Sequence, residues 1–272
     1  VIRRPATAKI NLSLVVGPLR KGEKHVLATV LQRVDLADRV ELRSAVAPAV
    51  RGFPEDTLVL GALRALAEAA GVEPGWEARI TKRVPVAAGL GGGSSDAATA
   101  LRLANETLPE PLPADELAAI AARLGADVPF FLAQGPQLAQ GDGTELSPLE
   151  LPQDYYVVLV LPQGAEKAST AAVYAAFDER DGAKGFRNRR AALRRALAGV
   201  ERPRDLAALP ANDLASSPVA DELRRLGAFR ADVSGAGPAV FGLFMRRAEA
   251  VAARKALARL GRTWLTVPAW YG

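Results

Sequence analysis

The chain has 272 residues, 49% of them hydrophobic and 24% charged, which excludes a disordered protein and suits one large domain or two smaller ones. It contains no cysteine and one histidine, which excludes disulfides and thiolate metal sites and argues against a transition-metal centre. A net charge of +5 suits an anionic partner, but with 6% aromatic residues and no interleaving of basic and aromatic positions, a small polyanion such as a nucleotide is expected, not a nucleic acid.

Residues 2–17 predict two short strands, because Ile10, Leu12, Leu14 and Val16 alternate with Asn11, Ser13 and Val15. Lys9 opens that run. A lysine at a strand edge is ordinarily solvated, although small or polar neighbours (Ala8, Asn11) are compatible with a cleft wall. A turn is predicted over Gly17–Gly22. His25 follows, either a surface residue or one that orients a ligand by hydrogen bonding. The apolar run 27–34 passes through Asp35 and Asp38 to another strand near Val40–Arg43. Asp56–Ala70 reads as a helix, with Leu58, Val59, Ala62, Leu63 and Leu66 at helical spacing and Gly71 ending it. Residues 76–81 alternate as a strand. Lys82 ends it and is by default a surface residue.

The most informative stretch is Pro85-Val86-Ala87-Ala88-Gly89-Leu90-Gly91-Gly92-Gly93-Ser94-Ser95, directly before a predicted helix over 95–107. Glycines at a helix N-terminus let an anion approach unpaired N–H groups and the positive end of the helix dipole. Ser94 and Ser95 add hydroxyls, and either is a candidate cap. The stretch is a phosphate cradle or a flexible turn. It lacks the lysine of G-x-x-x-x-G-K-[ST] and the context of a dinucleotide fingerprint.

A proline-rich connection leads to a predicted helix over Asp115–Leu124 and then to Asp127, which precedes a proline and an apolar helix start. Asp127 is by default a helix cap; the alternative is a carboxylate that accepts a hydroxyl proton. Residues 134–147 read as edge strands and turns, and the acidic, proline-containing stretch 148–154 as a boundary between domains 1–150 and 151–272. Beyond it the pattern predicts a strand over 155–161, a helix to Phe177 capped by Ser169 or Thr170, helices over 189–197, 218–226 and 248–260, and strands over 231–233, 239–244 and 263–267. Ser234-Gly235-Ala236-Gly237 is a hairpin loop or a second backbone nest facing the first cradle. Strands interrupted by helices in both halves indicate an α+β protein.

Four pieces taken together resemble the GHMP kinase family. Pro5–Leu12 is similar to its opening Pro-Ala-Lys-Ile-Asn-Leu signature, with an extra Thr7. Pro85–Ala98 resembles the glycine-serine phosphate motif, Leu124–Phe131 the Leu-Gly-Ala-Asp-Val-Pro segment, and Ser234–Gly237 the third, glycine-rich motif. The first and third resemble most the branch that phosphorylates a cytidine diphosphate–linked methylerythritol in the non-mevalonate isoprenoid pathway.

The resemblance implies a two-domain α+β fold with the active site in the cleft between domains, and an ATP-dependent kinase of the substrate's C2 hydroxyl, accompanied by Mg²⁺. It makes Asp127 the general base and Lys9 the group that holds it ionised and orients the hydroxyl. ATP phosphates lie over Gly89–Ser95, with Pro85–Ala88 completing the loop and Lys82 near the base or ribose. Asn11, His25, Thr170, Tyr174, Gly235 and Gly237 face the substrate, with His25 bonding cytosine and Tyr174 stacking on it. Ser95 or Thr99 is a candidate to assist the metal. Departures are Glu23-Lys24-His25 where the family often has Gly-Tyr-His, Thr57 where an asparagine lies near adenine, and Ser234 where the third motif begins with Thr. Kinases of homoserine or mevalonate type, and a non-catalytic nucleotide- or nucleic-acid-binding protein, are the competing readings. A cytoplasmic monomer or weak dimer with no membrane partner is expected, since no apolar run nears the roughly 18 residues of a membrane helix and Val1–Asn11 hold no signal core.

Overall fold

The computed structural model describes residues 1–20, 24–53, 57–165 and 169–269. Gly22, Glu23 and Asp56, which figure in the sequence expectations, lie outside the described residues, as does the side chain of Thr57. Two long strands, β1 (Ile2–Leu19) and β2 (His25–Ser44), pair antiparallel along their length. The sequence pattern predicts shorter strands here. Register shifts between Thr7 and Ala8, Asn11 and Ser13, and Val16 and Leu19 interrupt the alternation. Residues 6–17 are also buried on both faces: Ala6 belongs to one core, and Ala8, Ile10 and Leu12 to another. A strand covered on both sides has no polar face to mark its period.

β2 is the hub of a six-stranded sheet. Its first half pairs with β5 (Gln137–Gly141), which pairs with β6 (Glu145–Pro148), and its second half with β4 (Trp76–Thr81), whose far edge takes β3 (Ala49–Arg51) in parallel. Helices α1 (Thr57–Ala70), α2 (Gly92–Asn105), α3 (Ala114–Leu124) and α4 (Val128–Leu132) share a core with this sheet. Helix α1 shows why. Val59, Ala62, Leu63, Leu66 and Ala67 fall on one stripe at 0–1% exposure, and burying Leu63 and Leu66 stabilises the fold by about 1.5–3 kcal/mol each. The helix stops where Gly71 turns left-handed and the Val72 amide bonds back to the Ala67 carbonyl.

The second sheet runs β10 (Gly261–Thr266), β7 (Tyr156–Pro162), β9 (Val240–Phe244), β8 (Arg230–Val233), antiparallel throughout. One face packs on β1 and β2 through a core that includes Ile10, Val30, Leu159 and Phe241, which α6 (Phe186–Ala198) helps to close with Leu193. The other face packs on α7 (Pro218–Arg225) and α8 (Arg247–Leu257). Ser217 caps α7 by accepting from the Val219 amide, and Ser169 caps α5 (Thr170–Glu179) by accepting from the Ala172 amide. The fold is a mixed one of helices and strands, in helix–sheet–sheet–helix layers. The loop that precedes α2 and the loop between β8 and β9 meet along the seam of the two sheets, where Ala239 donates to the Ala88 carbonyl and Ser234 Oγ to the Gly89 carbonyl.

Candidate active site

A cleft of about 810 Å³ opens at that seam. Its walls come from β1 and β2, the 82–94 segment, Asp127 before α4, Asp142 and Gly143 after β5, helix α5, and Gly235–Gly237. Of the residues expected to touch a nucleotide, Lys82, Pro85–Gly89 and Gly91–Ser94 line it; of those expected to touch the acceptor, Asn11, His25, Thr170, Tyr174, Gly235 and Gly237 do, together with Lys9 and Asp127. Two side chains of the stretch lie away from the cleft. The Leu90 side chain is 1% exposed and packs into the core between the sheets, and Ser95 faces a separate, smaller cavity along with Thr99. Neither Ser94 nor Ser95 caps α2. Gly91 occupies the cap position at φ +70°, so both serines fall inside the first turn.

Two glycines of the loop are there for space. A Cβ on Gly89, at φ +81°, would sit 2.2 Å from the Ser234 carbonyl oxygen, and one on Gly91 would meet the Phe131 ring at 2.9 Å and Lys9 Cγ at 3.0 Å. The glycine loop is thus pressed between the β8–β9 loop on one side and Phe131 and Lys9 on the other. Beyond it the unpaired N–H groups of the first turn of α2 give the cleft a fixed positive potential.

The β1 bulge beside Asn11 brings Lys9 and Asn11 to the cleft. The Lys9 amide donates to the Leu90 carbonyl at 2.9 Å, which ties the strand to the glycine loop. Lys9 Nζ donates to Asn11 Oδ1 at 2.7 Å and lies 3.3 Å from Asp127 Oδ2. The lysine side chain is 5% exposed and that of Asp127 is 40% exposed, so the cation is fixed in the wall and the carboxylate reaches the space. Asn11 is held in turn: its Nδ2 donates to Thr29 Oγ1, which donates to the Ser13 carbonyl. Asp127 stands at the start of α4, yet its side chain makes no capping bond there, against the default expectation. Its oxygens are left for Lys9 and for whatever enters the cleft.

Lys82 has two acidic partners, Asp38 at 2.5 Å and Asp96 at 2.8 Å, both with fully buried side chains. Burial acts against its charge, but Asp96 and Asp38 outweigh that and raise its pKa. Asp38 also accepts from the amides of Arg83 and Val84. Lys82 therefore fastens β2, the start of the glycine loop and α2 to one another. Its ammonium also lies 5.6 Å from the centre of the Phe53 ring.

At the far end of the cleft His25 Nε2 donates to Asp178 Oδ1 at 2.8 Å, and the His25 ring packs 4.8 Å from that of Tyr174 and edge-on to Phe177. Burial and the charge of Asp127 push the Tyr174 hydroxyl up to about 12, so it is a neutral donor at physiological pH. Lys24 pairs with Asp142 at 3.2 Å at the same end.

Several functional residues are invisible to pattern reading. Asp178 is one; it follows the predicted end of its helix at Phe177 and shows its role only when α5 meets β2. Ser234, visible in the sequence as the start of the third motif but not in its partners, is fully buried, accepts from the Asn11 amide and donates to the Gly89 carbonyl. Asn212 donates to the carbonyls of Val233 and Gly235 and braces the same loop. Among the described residues no group of three or more His, Asp or Glu gathers to hold a metal. No helix is long and apolar enough to cross a membrane, again among the described residues.

The description of the GHMP kinases N terminal domain matches residues 57–135, and that of the GHMP kinases C terminal region matches residues 203–263. A 4-diphosphocytidyl-2-C-methyl-D-erythritol kinase of Gloeobacter violaceus is 38% identical over 274 residues, covering 94% of this chain and 90% of its own. A crystal structure of 4-(cytidine 5'-diphospho)-2C-methyl-D-erythritol kinase is similar with a TM-score of 0.80 at 32% identity, over 98% of this chain and 99% of that one. A crystal structure of mevalonate kinase, 13% identical, reaches 0.75 over 98% and 99% and shares the fold.

Proposed function

This chain belongs to the 4-diphosphocytidyl-2-C-methyl-D-erythritol kinase family of the GHMP kinases, and from that premise we propose that it transfers the γ-phosphoryl group of ATP to the C2 hydroxyl of 4-diphosphocytidyl-2-C-methyl-D-erythritol, giving the 2-phosphate and ADP in isoprenoid precursor synthesis. The single observation that carries the mechanism is the approach of Lys9 Nζ to Asp127 Oδ2 beside an amide-lined loop.

Phosphoryl transfer needs positioning and charge stabilisation more than covalent chemistry. The phosphates lie over Gly89 and Gly91–Ser94, where backbone N–H groups and the α2 dipole meet the charge that develops on the transferring group. Asp127 accepts the C2 hydroxyl proton as the oxygen forms its bond to the γ-phosphorus and the bond to the β-phosphate oxygen breaks. Lys9, held by Asn11, stands 3.3 Å from the carboxylate and aligns it with the hydroxyl. The adenine end reaches toward Phe53 and Lys82, and Lys82 acts chiefly by fixing the loop, since both carboxylates beside it compete for its charge.

The cytosine end lies against His25 and Tyr174, with Asp178 setting the imidazole orientation. Thr170 and the Gly235–Gly237 loop close the remaining side. With Lys24 and Asp142 at the mouth, this end presents charge where relatives of the family often present tyrosine. Mg²⁺ would accompany ATP, carried mainly by phosphate oxygens and water. Asp38 and Asp96 are engaged by Lys82, and the Ser94 hydroxyl is the group on α2 that lines the cleft. The protein works in the cytoplasm, where ATP is supplied.

The test is a substrate panel with labelled ATP: 4-diphosphocytidyl-2-C-methyl-D-erythritol, mevalonate and homoserine. Turnover of the cytidylyl compound alone is expected. Turnover confined to mevalonate or homoserine would overturn the assignment.

A further inference from the structure

A second cavity of about 90 Å³ shares no wall residue with the cleft. It lies along α2 and is walled chiefly by Arg4, Arg33, Arg102, Ser95, Thr99 and Phe131. Its composition is unusual for the inside of a protein. Arg33 is 1% exposed, and its Nε and Nη1 have no hydrogen-bond partner among the described residues. Its Nη2 donates to the Phe130 and Ala133 carbonyls, and its guanidinium lies 5.1 and 5.8 Å from the ring centres of Phe130 and Phe131. Among the described residues no carboxylate pairs with it.

Arg102 is also partly buried: its Nη2 donates to the carbonyls of Phe131 and Leu132, burial and the charge of Arg4 lower its pKa, and Glu106 offsets part of that. Arg4 pairs with Glu106 at 3.2 Å at the exposed rim. Three guanidinium groups thus gather around one small space with a single carboxylate at its edge. Burial and the charge of Arg102 lower Arg33 to about 10, which leaves it cationic at neutral pH. Carbonyl oxygens and aromatic faces return part of the desolvation cost of such a charge. A buried ion without an opposite charge is destabilising.

We propose that this cavity binds one tetrahedral oxyanion of the phosphate class, held by the guanidinium groups of Arg33 and Arg102 with the hydroxyls of Ser95 and Thr99 as further donors. Arginine suits this ligand because its planar fork matches two oxygens of a phosphate group. The space takes one such group and excludes a nucleotide, which separates it in kind from the cleft. Phe131 connects the two, because its ring walls this cavity and presses on Gly91 of the glycine loop. An anion seated here braces that ring from behind.

The experiment has two arms. Crystals of the full chain soaked in selenate, whose anomalous signal marks the ion, are expected to show a peak between Arg33, Arg102 and the two hydroxyls. In calorimetric titration with inorganic phosphate, Arg33→Met and Arg102→Met are each expected to weaken one binding event at least tenfold, while any event at the glycine loop persists. Arg102 is the more exposed of the two, so its variant carries the test should Arg33→Met not fold. Methyl phosphate titrated in parallel separates two sources: binding of both ligands supports a phosphorylated metabolite, and binding of inorganic phosphate alone supports the free ion. A cavity without selenate, with isotherms unchanged in the variants, would overturn the proposal.

Discussion

Replacing Lys82 by methionine removes one cation from between two carboxylates that are fully buried. At an effective dielectric constant of about 20, charges 2.5 and 2.8 Å apart attract by roughly 6–7 kcal/mol per pair before desolvation is counted. Desolvation cancels much of that attraction. Removal of one partner from such a set costs about 3–5 kcal/mol, because the acids are left buried without it. For a chain of this size the loss corresponds to a fall in Tm of roughly 6–20 °C.

The pH dependence has a definite sign. Lys82 has a raised pKa in the folded protein, so its contribution is full below its ordinary value of 10.5 and is lost as pH climbs through the folded value. Thermal unfolding at pH 7, 9 and 11, with and without ATP, measures both the fall in Tm and its dependence on pH. A variant with an unchanged Tm and a raised KM for ATP would refute the clamp and make Lys82 a nucleotide ligand alone.

Gly89→Ala is expected to lower kcat/KM at least tenfold with a smaller loss of Tm, because the added Cβ would lie 2.2 Å from the Ser234 carbonyl at a left-handed φ and must part the two loops; near-normal kinetics would show that the loops move freely. Asp178→Asn is expected to raise KM for the cytidylyl substrate roughly tenfold, the worth of one charge-assisted hydrogen bond, with KM for ATP unchanged; equal effects on both would remove His25 from the substrate end. The half-buried Tyr174 hydroxyl stays protonated to about 12, whereas the unfolded chain ionises near 10, so stability falls between these values. Tyr174→Phe should flatten that part of an alkaline unfolding curve, and an unaltered curve would contradict the burial argument.

Much of this molecule can be read from residue order. Helix α1 is plain because its apolar stripe lies on one face and Gly71 stops it. The glycine stretch is plain because three consecutive glycines before a helix-forming run have few other uses. The long hairpin is not, since bulges break its period and both of its faces are covered. Lys82 looks like a surface residue until β2 delivers Asp38 from 44 positions away to meet Asp96 from 14 positions ahead. Ser95 looks like part of a cradle because it follows Ser94, but in a helix adjacent residues point about 100° apart. One faces the cleft, and the other faces the arginine-lined cavity. Local chemistry is written in local sequence, and burial and partnership depend on long-range pairing.

The most direct test of the proposed chemistry is the pre-steady-state rate of γ-phosphoryl transfer to 4-diphosphocytidyl-2-C-methyl-D-erythritol in Asp127→Asn, measured beside ATP binding to the same protein. The expected result is ATP affinity within a few-fold of the parent and a transfer rate lower by roughly 10²–10⁴, the scale of a lost general base. Transfer at the parental rate would mean that the carboxylate beside Lys9 takes no proton in the reaction.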